Sequence, residues 1–97
     1  MDEVKKMLHE RKESYGTFME NARFIQFVMR ELERTPNWKS MTTVHKEAIH
    51  MILHKLARLC CGSEWHEDSA KDIVGYSRLL YNWIESGGKR TWEKEDG

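Results

Sequence analysis

Helical periodicity, broken at only a few places, limits this chain more than any other feature. The single proline, Pro36, and six glycines divide 97 residues into segments. Within them, apolar side chains recur every three or four residues. No segment of useful length alternates as a strand would, and no internal repeat is present. The order reads helix, helix, helix, helix, tail, and the expectation is an all-α fold. Residues 1–88 form a single helical domain, and 89–97 form a polar mobile tail that contains Trp92. Four helices with short connections suggest an antiparallel four-helix bundle-like architecture.

The first helix is expected over about residues 2–14, with Asp2 as its cap and Val4, Met7, Leu8 and Arg11 on one face. The second covers about 17–34. Thr17 and Glu20 have capping-box spacing, and Phe18, Ala22, Ile25, Met29 and Leu32 form a stripe that Phe24 and Val28 widen. Pro36–Ser40 reads as a loop. The third helix begins near Thr42 or Thr43 and reaches about Cys61. The fourth begins near Asp68 or Ser69 and runs to about Ser86. The first helix is short, so oligomerisation is expected to complete the core. Phe27, Trp38 and Trp92 are exposed aromatics suited to that interface.

Sixteen basic residues balance sixteen acidic ones, which gives no basis for general nucleic-acid binding. No apolar run approaches the roughly 20 residues that span a bilayer. The start, Met1-Asp2-Glu3, lacks the basic and apolar regions of a signal peptide. Cys60 and Cys61 are adjacent, which disfavours a mutual bridge, and they read as reduced, core-type thiols. A cytoplasmic protein is expected.

Chemistry-bearing residues gather between Glu47 and Tyr76. At about 100° per residue, Ile49, Ile52, Leu53, Leu56, Leu59 and Cys60 share one side of the third helix. Glu47, His50, His54 and Arg58 lie opposite, with Lys55 beside them. That polar side is either a solvated face or a ligand face. In the second case Glu47 and His50 could reach one divalent ion, and Lys55 and Arg58 could meet phosphate oxygens. Asp68 and Asp72 share a face of the fourth helix with Tyr76, Leu79 and Trp83. They are either first-turn and capping acids or ligands of Mg²⁺, which prefers carboxylate oxygen. Asn21 falls within an apolar stripe, where its amide needs partners from a neighbouring helix or a ligand. Gly75 suggests a close approach. Tyr15-Gly16 could bring a ring and a backbone N–H to a pocket edge, and His66 could be a ligand or proton carrier. His45, His50 and His54 suggest zinc, and His50 with His54 has the helical spacing for it, with no third strong ligand assigned. Walker-type, G-x-S-x-G and H-E-x-x-H motifs are absent.

The set Tyr15-Gly16, Glu20-Asn21-Ala22, Glu47-Ala48, Met51-Ile52, Lys55, Ala57-Arg58, Gly62, Asp68-Ser69, Asp72-Ile73 and Gly75-Tyr76 resembles a family of short phage and prophage proteins. That family is in turn distantly similar to the all-α MazG-like nucleotide pyrophosphatases. The resemblance implies a nucleotide ligand, Mg²⁺ held by acids on two adjacent helices, cleavage between α and β phosphates, and a homodimer or higher oligomer. Glu47 matches the first acid and Asp72 the last. His50 and Ser69 stand where further acids would be, and Asp68 can substitute.

Three functions follow as expectations. The first is a Mg²⁺-dependent nucleoside phosphate hydrolase with Glu47, Asp68 and Asp72 as its acids, His50 as a further metal ligand, and Lys55, Arg58, Asn21, Tyr15 and Tyr76 on the nucleotide. The second is a non-catalytic, nucleotide-sequestering anti-defence protein of a phage-infected bacterial cell. The third is a module that binds a host protein.

Overall fold

The computed structural model describes residues 2–89 and contains four α-helices and one short 3₁₀ turn. They are α1 (Glu3–Tyr15), α2 (Phe18–Glu33), the 3₁₀ turn Trp38–Ser40, α3 (Thr43–Cys61) and α4 (Glu67–Glu85). There is no strand among the described residues. Trp92 and residues 90–97 lie outside the described residues.

Local chemistry sets each boundary. Asp2 caps α1 by accepting the Lys5 N–H at 2.8 Å. Thr17 caps α2 by accepting the Glu20 N–H, while its hydroxyl donates to the Glu20 carboxylate at 2.7 Å. Thr42 caps α3, and His45 stands in the acid's place in a capping box, its Nδ1 accepting the Thr42 N–H at 3.2 Å. The fourth helix starts one turn fraction earlier than the expectation at Asp68 or Ser69. Its cap is His66, whose Nδ1 accepts the Ser69 N–H at 3.2 Å and lies 2.7 Å from the Ser69 hydroxyl. Imidazole is not among the favoured caps, which is why the pattern pointed to the neighbouring acid and serine.

The helices pack around α3, which meets α1 and α2 on one side and α4 on the other. Two contacts fix α4 antiparallel to α3. Near one end, Trp83 Nε1 donates to Thr42 Oγ1 at 3.0 Å. Thirteen residues along α3 and eleven back along α4, Lys55 Nζ lies 3.1 Å from Asp72 Oδ2. On the other side, Ile25, Leu53 and Ala57 form the buried centre, with Phe24, Val28, Met29 and Leu32 packed against it.

Because helices cover α3 on more than one side, its polar flank is not simply solvated. Lys55 is buried, whereas Leu56 and Cys60, expected on the apolar side, are exposed. Cys60 therefore does not have a core position, and Cys61 is half-buried. Trp38 is half-buried too, with Lys46 Nζ 5.5 Å above its ring. Phe27 is exposed, as expected.

The junction between α1 and α2 crosses the C-terminal end of α3 at backbone-to-backbone distance. A Cβ on Gly16 would strike the Cys61 carbonyl, and Gly16 also has φ +81°. A Cβ on Gly62 would come within 2.5 Å of the Tyr15 carbonyl carbon. Only two glycines allow this approach. Gly75, by contrast, has open space around it, so no close helix contact explains its place within α4.

Candidate anion-binding cleft

The crossing at Gly16 and Gly62 holds Tyr15 against α3 and opens a cleft of about 580 Å³ between α1, α2 and α3. Its lining includes the cations Arg11, Lys12 and Arg58, the His54 imidazole, and the apolar residues Leu8, Phe18, Ala22 and Ile25. Tyr15 meets two of the cations. Its ring has the Arg58 guanidinium carbon 4.3 Å from the centroid and that of Arg11 at 5.2 Å. Each cation is attracted to the ring, while the two like charges near one ring repel each other. No carboxylate lies within ion-pair distance of Arg11, Lys12 or Arg58 among the described residues. None of the residues lining the cleft is acidic.

Asn21 braces the floor. Its Nδ2 donates to the Tyr15 carbonyl at 2.7 Å and to the Thr17 carbonyl at 2.9 Å. The amide within the apolar stripe thus ties the end of α1 to the start of α2 and fixes Tyr15. His66 supports Tyr15 from the α4 side, the two rings meeting edge-on at 5.2 Å and 88°.

One imidazole reaches the cleft wall from α3. His54 Nε2 lies 3.2 Å from His50 Nε2, and the rings are 4.6 Å apart at 74°. Burial holds the His54 pKa below its ordinary value, and the nearby His50, Arg58 and Lys55 charges push the same way, while Glu47 opposes them.

The expected constellation is split. Tyr15, Asn21 and Arg58 meet at the cleft. Lys55 does not join them, because it turns to the opposite side of α3 and pairs with Asp72. Tyr76 is half-buried on α4, one turn beyond Asp72, and is not on the cleft wall. Glu47 is exposed and lies 3.8 Å from His50 Nδ1. At a rise of about 1.5 Å per residue, Glu47 is about 12 Å along α3 from Lys55, and hence from the level of Asp72. Asp68 lies about 6 Å further still in the antiparallel arrangement.

Accordingly, no three His, Cys, Asp or Glu side chains among the described residues are grouped to hold a metal ion. Within one chain, Glu47, His50, Asp68 and Asp72 do not form the hollow expected for Mg²⁺. Asp72 instead neutralises a buried lysine, a role that the shared face of Asp68 and Asp72 could not distinguish from metal binding. The sequence reading missed Arg11 and Lys12 as cleft residues. Arg11 had been placed on the face with Val4, Met7 and Leu8, and that face was the available signal.

An all-helical protein with a basic, acid-free cleft between three helices is the class defined by this geometry. The chain belongs to the family described as a domain of unknown function, DUF6378, whose model matches residues 1–83. Neither the curated proteins nor the solved structures contain a significant match. No helix among the described residues is long and apolar enough to cross a membrane.

Proposed function

We propose that this chain binds a nucleotide, or a similar phosphate-bearing small molecule, in the α1–α2–α3 cleft and holds it without hydrolysing it. The observation that carries this reading is a cleft lined by Arg11, Lys12 and Arg58, two of them at the Tyr15 ring, with no acidic partner. Three cations held near each other and left unpaired are stabilised by an incoming polyanion. Arginine forks suit phosphate oxygens, and the lysine adds a point charge. The cleft volume lies within the few hundred to about 1,000 Å³ of small-molecule sites. Leu8, Phe18, Ala22 and Ile25 add apolar lining against which a base could pack.

Retention is favoured over turnover because Glu47, Asp68 and Asp72 do not line the cleft. Such a binder acts by sequestration, the role expected of an anti-defence protein in a phage-infected cell, and that setting is part of the proposal.

The test is calorimetric titration with a nucleotide panel in EDTA, paired with chromatographic detection of phosphate and pyrophosphate in Mg²⁺. Binding in EDTA without product in Mg²⁺ is the expected result. Absence of binding to every nucleotide and to inorganic phosphate and pyrophosphate would refute the cleft assignment. Metal-dependent turnover would replace the binder with a hydrolase.

Self-association is proposed alongside. Ile25, Ala48, Leu53 and Ala57 are the only buried apolar residues among those described, while Phe18, Met19 and Phe27 are exposed. A core this small gains from burying more apolar area. A shallow hollow on α2 beside Phe24 and Phe27 offers a surface for a second copy of the chain. Light scattering at two protein concentrations tests this, and a monomer at both would remove it.

A further inference from the structure

One pair of side chains, of which His54 also lines the cleft, has a mutual geometry that the nucleotide reading leaves unexplained. His50 and His54 lie one turn apart on α3, and their Nε2 atoms are 3.2 Å from each other. Two imidazole nitrogens bound to one ion at about 2.0–2.1 Å, at a near-tetrahedral angle, are themselves about 3.3 Å apart. The observed separation therefore already has the bite of a chelate. We propose that His50 and His54 form a two-imidazole site for a borderline transition-metal ion such as Zn²⁺, Ni²⁺ or Cu²⁺, with the remaining positions open to water.

The surroundings suit such an ion and not Mg²⁺, because imidazole is a nitrogen donor and Mg²⁺ prefers oxygen. Without metal, a single proton bridges the two facing Nε2 atoms, one donating and the other accepting. Binding needs both lone pairs. The bridging proton moves to Nδ1 of the donor ring, so the ring stays neutral and no proton is lost. For His50, the Glu47 carboxylate lies 3.8 Å from that atom, outside hydrogen-bond distance, and its negative charge offsets part of the positive charge around the pair. Lys55 and Arg58 add positive charge nearby and lower the affinity, but Lys55 is neutralised by Asp72. The site stands on α3 alone and needs no nucleotide.

The experiment uses the chain with Cys60→Ser and Cys61→Ser, because both thiols would compete for these metals. Cu²⁺, Ni²⁺, Zn²⁺ and Mg²⁺ are titrated singly in the absence of nucleotide, and pulsed EPR counts the imidazoles on Cu²⁺. One ion per chain, bound in the order Cu²⁺ above Ni²⁺ and Zn²⁺ with no Mg²⁺ uptake, and two coordinated imidazoles are expected. His50→Gln and His54→Gln each reduce the signal to one imidazole. Glu47→Gln weakens binding by less than about tenfold, because it removes a nearby charge and no hydrogen bond, and His9→Gln, on α1, changes nothing. A single imidazole in the parent protein, unchanged uptake in His54→Gln, or no uptake at all overturns the proposal. The imidazole count on the parent protein decides the matter even where a variant fails to fold.

Discussion

Lys55 Nζ lies 3.1 Å from Asp72 Oδ2, joining α3 to α4 through a charge that is otherwise buried. The lysine side chain is 10% exposed and the aspartate 47%, so the two halves of the pair are not equivalent. Replacing Asp72 by Asn strands a buried cation, whereas replacing Lys55 by Met leaves a carboxylate that water can reach.

Asp72→Asn should therefore destabilise the fold by about 2–3 kcal/mol, and Lys55→Met by less. Urea denaturation of both variants checks the order. Nucleotide affinity, measured where each variant is fully folded, should stay near wild type, because neither residue lines the cleft. A large loss of affinity in folded Asp72→Asn would restore the acid to the binding site.

Removing either guanidinium from Tyr15 should weaken nucleotide binding. Arg58→Ala is expected to cost about 1.5–3 kcal/mol, a factor of roughly 10–150 in Kd. Arg58→Lys should recover only part of it, since a point charge cannot fork across two oxygens. Calorimetry at two salt concentrations should show a weaker salt dependence for both Arg11→Ala and Arg58→Ala.

The lowered His54 pKa makes a pH prediction with a definite sign. The unfolded chain takes up a proton at about pH 6.5, while the folded chain resists it because of burial and neighbouring cations. More protons are then bound unfolded than folded, so stability falls as the pH drops through that value and settles below the folded pKa. In EDTA, thermal melts of His54→Gln should show a smaller decline between pH 7 and pH 5.5 than the parent. A phosphate in the cleft favours the protonated ring, so binding should take up protons and tighten as the pH falls. Calorimetry in buffers of different ionisation enthalpy reads that uptake.

Gly16→Ala should be costly, because the new Cβ meets the Cys61 carbonyl and the backbone has φ +81°. A loss of at least about 2 kcal/mol is expected. Gly75→Ala, with nothing within 4 Å of its Cβ, should instead stabilise α4 by about 0.5–1 kcal/mol. Circular-dichroism melts separate the two.

Helix positions were readable because caps and periodicity are local. Asp2, Thr17 and Thr42 each occupy the cap that the sequence indicates. The cap of α4 escaped because His66 performs a task usually given to an acid or hydroxyl. The site was only half legible. Tyr15, Asn21 and Arg58 line one cleft, an association that the pattern does not give, because angular periodicity cannot tell which neighbour a polar residue meets. Lys55 and Arg58 are three residues apart on one helix, yet one faces α4 and the other the Tyr15 ring. A central helix with partners on more than one side gives an ambiguous stripe, and this is why Leu56 is exposed while Lys55 is buried.

None of the described residues of α1 is buried, yet α1 supplies Leu8, Arg11, Lys12 and Tyr15 to the cleft. Such an element opens at little cost compared with α3. Under the proposed binding, some of the free energy of capture would go to keeping this helix seated, and hydrogen exchange along residues 3–15 should slow when the cleft is filled. The segment that brings Arg11 and Lys12 to the pocket would then also set how long the proposed guest remains.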